Sequence, residues 1–479
     1  MNKNGLLNNL FWKFSERILA QLVTFVVSII LARMLEPDHY GTIAIVTIFI
    51  TIANVFVSNG FGSALIQKKN VDRLDYSSVL FFNVFFSIVL YLILFVSAPL
   101  ISGFYGDGYE ILTPVLRVLG LRLIPAGINS VQQAYVSKNM IFKKFFWATF
   151  FGTVLSGVVG IVMAYAGFGV WALVAQYLTN TTVDTIVLAI SIGNIYCLDF
   201  SFKRLKGMLG FGSRILASNL IIVAYQELRA IIIGKLYSAQ DLAFYDKGKS
   251  FPNLIVTNIN TSIDAVLFPK MSNDQDDISK IKGTTRNSIR FSSYIMCPLM
   301  VGLAAVATPF VKLLLTDKWL PCVPLLQLFC IVYLFQPIHT ANIQAIKAVG
   351  RSDIVLKLEI IKKSVELIVI LITMWFGVPA MVVGMAVCTT LFTLVNAYPN
   401  SKLIEYSFKE QLADILPSLG MSGLMFIVVS FMQYLSVNNL LLLVLEIITG
   451  ATVYILLSII TRNKELLYII QLLKLKKTS

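Results

Sequence analysis

FYDKGKSFPNLIVTNINTSIDAVLF, Phe244 to Phe268, has the length of a membrane-spanning helix and carries a polar stripe from end to end. At 100° per residue, Asp246, Lys249, Asn253, Thr257, Asn260 and Asp264 project within roughly 40° of one direction. A charge at the centre of a lipid-facing helix costs at least ~2.5–3.5 kcal/mol, so the stripe must face protein or water. Such a stripe suggests a hydrated path through a bundle, which points to a transporter rather than a membrane-anchored enzyme.

The rest of the chain supports that setting. Of 479 residues, 57% are hydrophobic and 13% charged, with a mean hydropathy of +0.79. A soluble protein would need about twice that share of charge to cover its surface. Apolar stretches repeatedly reach the ~20 residues that cross a hydrocarbon core, and the short alternating strands of a membrane barrel are missing. The expected class is an all-α polytopic membrane protein. The first apolar run, Ile18 to Leu35, is long, interrupted by polar groups and lacks a small-residue cleavage site, so no cleavable signal peptide is expected. Cys197, Cys297, Cys322, Cys330 and Cys388 are scattered without metal-type spacing, and His39 and His339 are isolated. They read as buried free thiols and lone histidines, with no metal and no cofactor.

Apolar windows bounded by breakers give fourteen spans, near 15–35, 40–60, 77–98, 113–136, 144–166, 170–192, 211–234, 243–268, 292–315, 322–346, 356–376, 379–400, 415–434 and 439–461. Alternate connections and both termini then collect 26 of the 39 basic residues, from Lys3 and Lys13 through Lys68, Lys69 and Arg73 to Lys474, Lys476 and Lys477. The opposite connections hold only Arg33, Lys235 and Lys318, and the longest of them, Ala98 to Thr113, has no Lys, Arg or His. This asymmetry is the positive-inside pattern and predicts cytoplasmic termini. It also accounts for the net charge of +14 without nucleic acid. The Lys474–Lys477 tail suits anionic lipid headgroups.

The chain also resembles itself. SERILAQLVTFVVSIILARML begins at Ser15 and SRILASNLIIVAYQELRAIII at Ser213, with Arg17 and Arg214 in matching places. LEPDHYGTI (Leu35 to Ile43) pairs with YSAQDLAFY (Tyr237 to Tyr245), and FGVWAL at Phe168 with FGVPAM at Phe376. The shared offset of about 200 residues predicts two six-helix parallel repeats, related by an axis along the membrane normal, and two extra C-terminal helices. The expected divisions are 1–200 (helices 1–6), 201–405 (helices 7–12) and 406–479 (helices 13–14 and a basic cytoplasmic tail).

These repeats resemble the oligosaccharide flippases of the MOP superfamily, nearest to the Wzx-type lipopolysaccharide, capsule and teichuronic acid exporters. The motifs that carry the resemblance are SERILAQLVTFVVSIILARMLEPDHYG, NGFGSALIQKKN (Asn59 to Asn70), LIPAGINSVQQAYVSKNMIFKK (Leu123 to Lys144) and AGFGVWALVAQYL (Ala166 to Leu178). The resemblance implies an N-lobe and a C-lobe around a central cavity in a bacterial cytoplasmic membrane. It also implies an undecaprenyl-diphosphate-linked oligosaccharide as substrate, with other polysaccharide assembly proteins as candidate partners.

Moving a diphosphate and sugars through hydrocarbon requires a hydrated, cationic surface, and arginine's planar fork donates two parallel hydrogen bonds to phosphate oxygens. In the first span Arg17, Gln21, Thr24 and Ser28 share a face; in the seventh, Arg214, Ser218, Tyr225 and Arg229 do. Arg17 and Arg214 are the expected diphosphate contacts, with Arg229 deeper or on the outer side. Snorkelling to the interface, or pairing of Arg17 with Glu16, is the plainer alternative. The fourth span adds Arg122, Asn129 and Gln133 on one face, with a break at Pro125; the eighth adds Lys249 and Asn253. If an ion is coupled, Glu227, Asp246 and Glu366 are the candidates, although an ion pair is the plainer reading of Glu227 and Asp246. Pro125, Pro252, Pro298 and Pro337 fall inside spans and predict bends. Catalytic residues are not expected. The competing readings are a MATE-like antiporter of small organic molecules, which would want unpaired acids in its cavity, a membrane polysaccharide polymerase or ligase, and a scaffold subunit of an assembly complex.

Overall fold

The computed structural model describes residues 3–58, 61–274, 277–434 and 437–467; for residues 3–11, 13–17, 209, 211, 214, 262, 264–266, 268 and 269 it describes the backbone alone. Among the described residues every regular element is helical. The chain divides into two compact units, Met1–Ala243 and Phe244–Ser479. The first contains α1 (Lys3–Met34), α2 (Pro37–Ser58), α3 (Phe61–Gln67), α4 (Arg73–Tyr105), α5 (Leu112–Gly120), α6 (Leu123–Asn139), α7 (Phe142–Tyr165), α8 (Val170–Ile192) and α9 (Phe202–Leu236). Helix α10 (Ala239–Asn273) begins in the first unit and belongs mainly to the second. The second continues with α11 (Ile278–Ala305), α12 (Ala307–Leu315), a 3-10 turn (Asp317–Cys322), α13 (Val323–Leu334), α14 (Gln336–Ala348), α15 (Ser352–Thr373), α16 (Val378–Leu403), α17 (Phe408–Met432) and α18 (Asn439–Ile460). Packing thus groups α9 with α1–α8, whereas the repeat places it at the head of residues 201–405; contact and internal resemblance divide the chain at different points.

The units keep an apolar core but, unlike a soluble protein, also carry an apolar outer surface and bury polar side chains. Leu440, Leu441, Val444, Ile447 and Ile448 are exposed on α18, while Asn342, Asn400, Gln411 and Ser422 are fully buried. Lipid supplies no hydrogen bonds, so polar groups turn inward and apolar ones outward. All fourteen expected spans fall on helix, and ten of the described helices or helix pairs are long and apolar enough to cross a membrane. The other four fall on α1, whose described apolar part is Ile18–Met34, on α5 with α6, on α10 and on α15. Three of these have a physical reason to fall short: a break in the fourth span, the polar stripe of α10, and Asp353, Lys357, Glu359, Lys362, Lys363 and Glu366 along α15.

Two motif glycines mark close approaches. A Cβ on Gly41 would lie 1.8 Å from the Ala239 carbonyl oxygen, so the start of α2 touches the start of α10 backbone to backbone. Gly169, at φ +55° before α8, sits where a Cβ would meet the His39 ring at 3.1 Å.

Two prolines inside long helices have their freed carbonyls satisfied from elsewhere. Pro99 leaves the Phe95 carbonyl without its helical donor, and Arg117 Nε donates to it at 3.2 Å while lying over the Phe95 ring. Helix α4 therefore runs through to Tyr105, and much of the expected Ala98–Thr113 connection is helical. Pro298 frees the Tyr294 carbonyl in the same way, and Tyr454 Oη donates to it at 2.8 Å.

At the start of α4, Asp72 and Asp75 form a capping box, and the fully buried Asp75 carboxylate meets Lys68 at 2.6 Å and Arg204 at 3.2 Å. The strap before α9 is tied to the same point, the Cys197 N–H donating to Ser77 Oγ (2.7 Å) and the Ser201 N–H to Ser78 Oγ (2.9 Å).

Candidate functional site

A cavity of about 530 Å³ opens within the first unit between α2, α3, α6 and α8. Its location follows from the break between α5 and α6. Pro125 has no N–H to give the Leu121 carbonyl, so the helical ladder fails at Leu121 and Arg122 and is bridged by tighter bonds, Arg122 N–H to Leu119 O and Ile124 N–H to Leu121 O. The bend expected at Pro125 therefore appears three to four residues earlier. It delivers Arg122 to the cavity wall at the head of α6, with Asn129 and Gln133 following on the same face.

These three residues, grouped by helical spacing alone, line one cavity together. Arg122 Nε donates to Thr181 Oγ1 at 2.7 Å, and the guanidinium lies over the Tyr177 ring at 5.5 Å. Among the described residues its terminal nitrogens have no hydrogen-bond partner. Asn129 Nδ2 donates to Asp184 Oδ2 at 2.9 Å, and Gln133 Nε2 donates to Asn129 Oδ1. The second carboxylate oxygen of Asp184 is buried without a partner, as is Asn54 Oδ1 on the α2 wall. The cavity thus offers an open guanidinium fork beside amide and hydroxyl side chains, an arrangement suited to a ligand rich in hydroxyl and anionic groups.

Asp184, Thr181, Asn180 and Asn54 were not among the expected residues. The run Thr179 to Thr185, six polar residues in seven between Leu178 and Ile186, was the available signal in the span.

The other expected residues lie elsewhere. Gln21 is half-buried on α1, and Arg229 on α9 is half-buried, its Nε without a partner. Glu227 is half-buried on α9. On α10 the periodicity holds: Phe244, Tyr245, Phe251 and Val256 are buried in the second unit, Asp246 and Asn253 are exposed, and Lys249 is half-buried. Glu366 on α15 accepts from Lys363 at 3.0 Å, an ion pair on its own helix. The side chains of Arg17, Arg214 and Asp264 and the whole Lys474–Lys477 tail lie outside the described residues.

A multi-pass helical bundle with a polar, arginine-bearing cavity defines a membrane protein of the transporter type. The family model described as "Polysaccharide biosynthesis protein" matches residues 30–324, and the chain belongs to that family. It is 26% identical over 304 residues to the teichuronic acid biosynthesis protein TuaB of Bacillus subtilis (strain 168), covering 63% of this chain and 62% of TuaB, less than two thirds of that relative's length. It is 25% identical over 359 residues to the lipopolysaccharide biosynthesis protein WzxC of Escherichia coli (strain K12), covering 74% and 70%. The fold matches that of the lipid II flippase MurJ in an inward closed conformation, with TM-score 0.76 at 16% identity over 95% of this chain and 99% of MurJ. The resemblance to polysaccharide exporters read from the motifs is thus matched by the family, and these relatives are named for biosynthesis and flipping rather than for an enzymatic reaction.

Proposed function

We propose that the chain flips undecaprenyl-diphosphate-linked oligosaccharide repeat units from the cytoplasmic to the outer leaflet of a bacterial cytoplasmic membrane, for surface polysaccharide biosynthesis. The observation that carries this reading is the open Arg122 fork in a cavity otherwise walled by Asn129, Gln133, Asn180 and Thr181. A guanidinium suits a phosphate and the amides suit sugar hydroxyls. In this proposal fourteen spans in two six-helix repeats and a C-terminal pair work by alternating access, with both termini cytoplasmic. Arg17 and Arg214 are the proposed diphosphate contacts, Gln21, Arg229, Lys249 and Asn253 further wall residues, and Glu227, Asp246 and Glu366 the places to seek ion coupling. The lipid-linked oligosaccharide is the proposed ligand, membrane lipids the surroundings, and other assembly proteins the proposed partners.

One observation favours the MATE-like alternative: an acid, Asp184, is among the residues that line the cavity, as exchange of organic cations would need. Reconstitution in liposomes with lipid-linked oligosaccharides, scored for leaflet reversal with and without ion gradients, separates the two. Leaflet reversal is the expected result. Exchange of a fluorescent organic cation without any reversal would establish the antiporter instead.

A further inference from the structure

A second cavity, of about 380 Å³, lies in the second unit between α11, α17 and α18. Pro298, Gly302, Met425, Val429 and Gly450 line it, and Leu299, Ile447 and Ile455 at its edge are exposed on the apolar outer face. Against this slot lies Glu446, which is fully buried, with neither carboxyl oxygen bonded to any partner among the described residues. Its position is seven residues into α18, about 10 Å along the helix at 1.5 Å per residue.

Among the described residues no facing group compensates a charge there. Helix α11 offers Tyr294 and Cys297; Tyr294 Oη donates to Ser458 Oγ at 3.0 Å. Helix α18 offers Tyr454, committed to the Tyr294 carbonyl at 2.8 Å. Helix α17 presents Met425 and Val429, and α12, also packed on α18, carries Lys312, paired with Asp317 at 3.2 Å. An ionised carboxylate without partner or water in hydrocarbon is strongly disfavoured, and such groups neutralise instead.

We propose that Glu446 is a proton-holding carboxylic acid in a lipid-fed slot, and hence a modification site for apolar carbodiimides. The slot admits such a reagent from the hydrocarbon. The acid proton moves to one carbodiimide nitrogen, and the carboxylate oxygen adds to the central carbon. The resulting O-acylisourea rearranges to the stable N-acylurea, so the whole reagent is retained and nothing leaves. The same chemistry makes proton release depend on the slot: Glu446 ionises only if water enters between α11, α17 and α18, which ties its protonation to how tightly those helices pack.

The test treats the full chain in proteoliposomes with dicyclohexylcarbodiimide or with a water-soluble, charged carbodiimide, and maps adducts by mass spectrometry. The expected result is a dicyclohexyl adduct on Glu446 that slows as pH rises, none from the charged reagent, and none at this position in Glu446→Gln, a neutral isostere that preserves packing. Equal labelling by both reagents would show a hydrated, ionised carboxylate and overturn the proposal. So would absence of the Glu446 adduct while other carboxyls react. Because the readout is mass, it stands apart from whether the chain moves lipid-linked sugar.

Discussion

In the first unit α5 and α6 part at Leu121–Arg122, with Pro125 just after the break; in the second, α13 and α14 part at Phe335, with Pro337 just after it. Each second segment then sets amides against a long apolar partner, α6 against α8 and α14 against α16. Around α6 those amides wall an open cavity, while buried unmatched oxygens occur in both regions, Asn54 Oδ1 and Asp184 Oδ1 in the first and Asn396 Oδ1 and Asn400 Oδ1 in the second. Around α14 they bond mainly to one another. Asn396 Nδ2 donates to His339 Nδ1 at 2.7 Å, Asn400 Nδ2 to Asn342 Oδ1 at 2.7 Å, and Asn342 Nδ2 to Gln411 Oε1 at 2.9 Å. Gln411, contributed by α17, closes the second network, and the three residues Asn342, Asn400 and Gln411 are fully buried. The same side chains serve as ligand contacts or as internal glue, depending on whether a further helix fills the space they face.

That contrast can be broken at the Arg122 end first. Arg122→Ala should lower leaflet reversal at least about tenfold, since a charge-assisted contact of ~1.5–3 kcal/mol to the ligand is lost, with a smaller change in melting temperature from the lost Thr181 bond and Tyr177 contact. Arg122→Lys should recover part of the rate, because it keeps the charge but loses the fork; full recovery would show that a point charge suffices. In the closed network the effect should move to stability. Asn342→Leu strands Gln411 Oε1, whose donor it removes, while the Asn400 and Gln411 amide N–H groups keep the Asn342 and Tyr406 carbonyls; at a cost of about 1–3 kcal/mol, melting in detergent should fall by several degrees while reversal per folded molecule holds. A loss of transport without a loss of melting would break the distinction between the two regions.

Asp184→Asn keeps the shape and removes the charge, and should slow reversal several-fold, less than Arg122→Ala. Asn129→Leu should impair transport more than Cys197→Ser, measured side by side; the reverse order would remove Asn129 from the path. The smallest effect is expected outside the membrane. The Asp75 backbone N–H, and then Arg204, hold the Asp72 carboxyl below its ordinary value. A folded value below the unfolded one adds stability above the unfolded value of about 3.9, which is lost as pH falls through the folded value. Asp72→Asn should therefore melt slightly below the wild-type protein near neutrality, with the gap closing below pH ~4.

The face of α10 was legible in the sequence because helical spacing alone sorts Phe244, Tyr245, Phe251 and Val256 from Asp246 and Asn253. So was the grouping of Arg122, Asn129 and Gln133, three residues on one helix. Asp184 was not, because its meaning comes from α8 lying beside α6, and no local period encodes that neighbour. The third span, expected over 77–98, runs further for a related reason, since α4 carries Pro99 inside it and continues to Tyr105. A proline ends a helix only if its orphaned carbonyl finds no donor, and Arg117, eighteen positions on, supplies one. The position of the first-unit break was readable only by counting back from Pro125 to the carbonyl it orphans.

The carboxylate of Asp75 has a consequence for the order in which the chain is made. Lys68 leaves the ribosome just before it, but Arg204 follows about 130 residues later, roughly ten seconds at ordinary synthesis rates. For that interval the nascent N-terminal helices hold a buried acid with only one of its two cations. Until the strap and Arg204 arrive, the insertion machinery must host an unfinished bundle, and truncations that stop short of Arg204 should be the ones that quality-control proteases find.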